Sequence, residues 1–98
     1  MKRRVINPWS WQDQFAFVQA HEVSGAQRVV YCAGQTSVDG EGTPIHEGDI
    51  RAQVGQAFDN LETVLAEAGL DLSHVVRVNY YTTDADALIE NWDVVATR

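Results

Sequence analysis

The sequence predicts an α+β fold, with a small antiparallel or mixed sheet and two helices packed on one of its faces. Three observations predict it. Short runs rich in Val, Phe and Tyr stand at 15–20, 28–33 and 75–83. One long amphipathic pattern occupies residues 50–68, and a shorter one follows Asp84. These runs alternate as strands then helix, strand then helix, and each apolar helix face needs a sheet to cover it. At 98 residues the chain is read as a single domain, 1–98, with a thin core.

The elements follow in order. Phe15-Ala16-Phe17-Val18-Gln19-Ala20 and Arg28-Val29-Val30-Tyr31-Cys32-Ala33 are read as two strands of a hairpin, joined by turn chemistry around Gly25. Gly34 stops the second. Residues 35–48 read as loop, punctuated by Gly40, Gly42, Pro44 and Gly48, with a tight turn at Asp39–Gly42. Asp49 is placed as an N-cap. Ile50, Val54, Ala57, Phe58, Leu61, Val64, Leu65 and Ala68 then form one apolar helix face, and Gly69 fits the glycine that ends such helices. In Val75–Thr83, Val76, Val78 and Tyr80 share one face; Val75, Arg77, Asn79 and Tyr81 share the other. Asp84 caps a second helix carrying Leu88, Ile89, Trp92 and Val95. Arg98 closes it, and that order of elements invites at least one further strand, so the domain is expected to be incomplete at its carboxy terminus.

Charge narrows the function classes. The chain holds 14 acidic and 7 basic residues, and three of the basic ones are Lys2, Arg3 and Arg4. Residues 5–98 therefore hold 4 basic against 14 acidic, a net of −10. Such a surface repels phosphate backbones and anionic lipid, so neither nucleic acid nor membrane is expected as a partner. Lone Cys32 excludes an internal disulfide and a cysteine-based metal site. Asn7–Asp13 is no signal-peptide core and no apolar run reaches membrane-spanning length, so the expected location is the cytoplasm.

The run VVYCAGQ (Val29–Gln35), then Asp39-Gly40, Glu47-Gly48-Asp49, Gln53, Asn60-Leu61, Leu65, Ala68-Gly69, Val75-Val76-Arg77, Tyr80 and Asp84 have a recognisable order. Together they resemble the Rid family, the reactive intermediate deaminases, also called YjgF-like proteins. The resemblance runs from about Phe15 to Trp92. It implies a chorismate-mutase-like fold, a homotrimer, and ligand clefts between subunits. It also implies hydrolysis of reactive 2-imino acids, and their enamines, to 2-keto acids and ammonia, without metal or cofactor. A family arginine clamps the substrate carboxylate, the geometry a guanidinium suits. By the resemblance that arginine and a later glutamate lie after the second helix, beyond Arg98.

Carried over residue by residue, the resemblance gives Phe17, Ala33, Gly34 and Asn91 as substrate-binding, cleft-lining positions. Ala33 stands where many deaminases have serine, and Phe17 where many have tyrosine. Two other readings stay open: a non-catalytic trimer binding a small carboxylate-bearing metabolite, and an endoribonuclease or translation inhibitor.

The remaining polar residues read plainly. Cys32 is expected as a small core residue. His21, His46 and His74 lack ligand spacing and are expected in structural or solvated roles. Arg77 is read as an interface ion-pair partner or an anion contact, Asn79 as interface, and Trp9 and Trp11 as packing of the amino-terminal segment. The glycine-rich loop lacks a phosphate-loop lysine.

Overall fold

Strand β1 (Lys2–Ile6) pairs antiparallel with β2 (Ala20–Ser24), in a register that sets Arg4 opposite Glu22 and Val5 opposite His21. The computed structural model describes all 98 residues, and this ribbon belongs to the first of two compact units, Met1–Cys32; the second is Ala33–Arg98.

This hairpin differs from the expected one. Residues 15–19 do not form a strand; Trp11–Phe15 is a 3-10 turn, closed by Ala16 in the left-handed region at φ 59°. The reason lies in Gln12, which is fully buried. Its Nε2 donates to the Trp9 carbonyl at 2.9 Å and its Oε1 accepts from Gln19 Nε2 at 3.2 Å. A buried amide is stable only when so partnered, and the turn is what brings those partners around it. The Gln19 N–H in turn donates to Asn7 Oδ1 at 2.8 Å. Freed from the loop, Ala20–Ser24 pairs with the strand-forming Lys2–Ile6.

The second unit is built on α1 (Ile50–Glu67). Asp49 caps it as expected, accepting from the Ala52 N–H at 3.0 Å. At its far end Leu70 N–H donates to the Leu65 carbonyl at 2.8 Å and Gly69 N–H to that of Ala66 at 3.0 Å. That pair of bonds, with Gly69 at φ 76°, is a Schellman motif. The expected apolar face is buried or half-buried except Val64, and Leu65, 4% exposed, is the buried apolar side chain of the chain.

The second helix comes as two pieces, α2 (Ala85–Glu90) and α3 (Trp92–Ala96). Asp84 caps α2, accepting from Ala87 N–H at 3.0 Å. The break is at Asn91, whose Nδ2 donates to the Ala87 carbonyl at 2.8 Å. A side-chain amide that occupies the carbonyl four residues back competes with the helical ladder. α3 returns against α1: Arg98 Nη2 donates to Asp59 at 2.7 Å and to Glu62 at 3.2 Å, its guanidinium 5.5 Å from the Phe58 ring centre.

Residues 28–36 and 75–83 carry no strand ladder within the chain. Exposure in the second does not follow the expected alternation, since Val75 is half-buried and the residues after it are exposed on both faces. Val76, Val78 and Tyr80 are 45, 40 and 43% exposed, while Tyr81 is 90% exposed. Tyr80 meets Trp92 edge-to-face at 5.3 Å. Between α1 and this segment a short 3-10 turn, Leu72–His74, is closed by a capping box. Asp71 accepts from Ser73 N–H at 2.9 Å and from the Ser73 hydroxyl. No helix is long and apolar enough to cross a membrane.

Candidate functional site

The loop after Gly34 braces itself. Ile45 N–H donates to the Ser37 carbonyl at 3.0 Å and the Ser37 hydroxyl to the Ile45 carbonyl at 2.7 Å. Val38 and Pro44 form a bridge. At the tip, Asp39 Oδ1 accepts from the backbone N–H of Glu41 at 2.9 Å and of Thr43 at 3.0 Å, and Gly42 N–H closes the expected turn onto the Asp39 carbonyl at 3.0 Å. An aspartate that accepts from backbone two and four residues on is a compact way to hold such a tip.

Two side chains of α1 tie this loop down. Asn60 Nδ2 donates to the carbonyls of Thr36 at 2.9 Å and Val38 at 3.0 Å. Gln53 Nε2 donates to the His46 carbonyl at 2.9 Å. Gln53 also lines a shallow depression, open to solvent, with Tyr81, Thr82 and Thr83. The Thr82 hydroxyl accepts from Asp84 N–H at 3.1 Å.

Ala33 and Gly34 are exposed, directly ahead of this loop, and the Ala33 carbonyl accepts from Gln35 Nε2 at 3.2 Å. A Cβ built on Gly34 meets nothing within 4 Å. Asn91 is half-buried and committed elsewhere: its Nδ2 goes to Ala87 and its Oδ1 accepts from Arg51 Nη1 at 3.2 Å. Phe17 lies in the Met1–Cys32 unit, half exposed, its ring edge-to-face with Trp11 at 5.7 Å. Cys32, expected in the core, is exposed. Its segment lacks the neighbouring strand that would cover it.

The arginines of the second unit differ in availability. Arg51 holds Asp93 and Arg98 holds Asp59 and Glu62. Arg77 is exposed, and its Nε donates to the neutral Asn79 Oδ1 at 3.3 Å. Burial raises the Tyr80 phenol above its ordinary value, so it stays neutral as a hydrogen-bonding group.

Comparison with known proteins places this arrangement. A family model described as Endoribonuclease L-PSP matches residues 12–97. The crystal structure of a Rid-family protein, YyfB from Yersinia pestis, superposes with a TM-score of 0.85 at 31% identity, covering 99% of this chain and 75% of that one. The chain belongs to the Rid family. Among curated Rid-type relatives, protein DfrA of Myxococcus xanthus is 38% identical over 81 residues, 83% of this chain and 55% of that protein. The RutC family protein YjgH of Escherichia coli is 35% identical over 74 residues, covering 72% of this chain and 55% of that protein. The chain thus spans about half the length of these curated relatives.

As a Rid-family chain its α+β architecture is the expected one, and the residues that carried the resemblance acquire physical roles. Asp49 caps α1, Gly69 ends it, and Gln53 and Asn60 hold the loop. That holding role was not readable from the sequence. An amide within an amphipathic helix looks like solvated surface until its loop partner is known. Gln12 was missed for the same reason.

Proposed function

We propose that this Rid-family protein hydrolyses reactive enamines and imines of small 2-keto acids to the keto acid and ammonia, in the cytoplasm, as a homotrimer whose clefts lie between copies of the chain. The observation that carries the reading is the family match over residues 12–97; the open space over Gly34, ahead of a loop held by Asn60, agrees with it. An added methyl group at Gly34 finds open space, which leaves room there for a small substrate. Ala33, Gly34, Phe17 and Asn91 are the proposed cleft-lining positions. The chemistry needs no covalent nucleophile, because positioning and charge stabilisation suffice for attack of water on an imine. The substrate carboxylate calls for a guanidinium. Arg77 is the arginine of residues 33–98 that does not hold a carboxylate within the chain, which leaves it open as an anion contact distinct from the arginine the resemblance implies.

The description of the family model names an endoribonuclease. Residues 33–98 hold 12 acidic and 3 basic residues, which weighs against an RNA substrate there. The test has two parts. Light scattering is expected to give about 33 kDa, three chains of 10.9 kDa. Imines generated in place by a dehydratase acting on serine or threonine are expected to release ammonia faster with the protein than without it. A trimer that binds a 2-keto acid without accelerating release would favour the non-catalytic reading; a salt-dependent RNA shift would favour the nuclease.

A further inference from the structure

We propose that Asn60 is the positioning residue for the Ala33–Gly34 segment, an inference that rests on the reading of Gly34 as part of the cleft. Asn60 lies on α1, 26 residues from Gly34 in sequence. Its carboxamide is completely assigned by its surroundings. Oδ1 accepts from Gln56 Nε2 at 3.0 Å, and Nδ2 donates one hydrogen to Thr36 and one to Val38. Turning the amide over would set its oxygen against two carbonyl oxygens, so the orientation is fixed.

Where those two bonds land decides their effect. Thr36 and Val38 flank Ser37, and Ser37 and Val38 are the residues through which the loop's two arms join, to Ile45 and Pro44. Asn60 therefore grips the loop at its base. Thr36 is two residues from Gly34, a reach of about 7 Å of extended chain. The Ala33–Gly34 segment has no strand ladder of its own within the chain. The first fixed point after it is the Asn60 clamp. The other tie, Gln53 to His46, holds the loop's far end and leaves its near end unheld.

This predicts a specific pattern when the clamp is removed. Asn60→Asp keeps the size and the acceptor for Gln56 but sets a carboxylate oxygen against both carbonyls. The loop should remain intact within itself, since its own bonds do not involve Asn60, and swing as a body. Gly34 and Gln35 should then lose order while Val38, Asp39 and Ile45 keep their protected amides.

The experiment is amide NMR on the full chain and two variants, with ammonia release measured on the same samples. In Asn60→Asp the order parameters of Gly34 and Gln35 are expected to fall from about 0.85 to below 0.6. Exchange at Val38, Asp39 and Ile45 should stay within about threefold of the parent. Gln56→Leu, which leaves both donated bonds in place, should leave Gly34 as it was. In turnover, Asn60→Asp is expected to lower kcat tenfold or more with KM changed less than threefold. If Asn60→Asp fails to fold, Asn60→Ala removes the donors without the repulsion and is read in the same way. Unchanged order at Gly34 overturns the proposal, and so does a loosened Gly34 with parental kcat and KM. If the parent itself releases no ammonia, the deaminase reading falls, and order at Gly34 alone upholds or overturns the clamp.

Discussion

Arg51 and Asp93 meet in two parallel hydrogen bonds of 2.8 Å each, joining the first turn of α1 to the first turn of α3. The pair is exposed but bidentate, the geometry in which a surface ion pair retains value. The hydrogen bond from Arg51, and then its charge, hold the Asp93 carboxyl below its ordinary value. Asp71 is lowered too, chiefly by the hydrogen bonds from Ser73. A carboxyl depressed in the folded state stabilises above its unfolded value and loses that contribution as pH falls through the folded one. Stability should therefore decline below about pH 4. Asp93→Asn should flatten part of that decline and loosen α3, read as a melting temperature that falls less between pH 5 and 3, a window set by the ordinary carboxylate value. A parallel decline in both proteins would remove Asp93 from the account.

Leu65 is the apolar side chain most fully removed from solvent. Leu65→Ala deletes three carbons from a packed position and should cost about 2–4 kcal/mol. Urea unfolding followed by helix signal measures it. A loss under about 1 kcal/mol would mean that the site collapses around the smaller residue.

Gly69 tests the end of the same helix separately. At φ 76° a Cβ is strained whatever the surrounding space. Gly69→Ala should cost about 1–2 kcal/mol, and Gly69→Asn less, because asparagine tolerates this region better. Equal stability of alanine and asparagine at 69 would show that the Schellman geometry is not retained.

Gly34 makes the opposite case. Its φ is not left-handed and an added Cβ meets nothing in the chain. Gly34→Ala should therefore leave the melting temperature of the isolated chain unchanged to within about 2 °C. If the space above Gly34 is used by substrate or by another copy, the same change should weaken 2-keto acid binding at least tenfold or shift the solution mass. Wild-type behaviour in both would take Gly34 out of the cleft.

Legibility in the sequence followed how local each signal was. Asp49, Gly69 and Asp84 were readable because a cap needs only its own helix. The apolar stripe of α1 was readable from spacing alone. The hairpin was misread because Phe15 and Phe17 offered strand chemistry while the deciding group, buried Gln12, draws its partners from Trp9 and Gln19. Val76, Val78 and Tyr80 are exposed and have no ladder, since periodicity groups side chains by face and says nothing of which backbone lies alongside. Of the candidate site, Ala33 and Gly34 were placed by resemblance. The amides that fix their neighbourhood, Asn60 and Gln53, belong to the same pattern, but their tasks depend on a loop that the helix spacing does not reveal.

The self-bonded loop between Ser37 and Ile45 has a consequence for tolerance to change. Its base is fastened by Ser37, Val38 and Asn60, and its apex by Asp39, through its carboxylate and its own backbone groups. Gly40 and Glu41 lie outside every one of those fastenings except the single Glu41 N–H. Mechanical isolation of that kind makes the apex a natural graft point. A short epitope or dye-binding tetracysteine spliced between Gly40 and Glu41 would ride on the protein without transmitting its motion to α1.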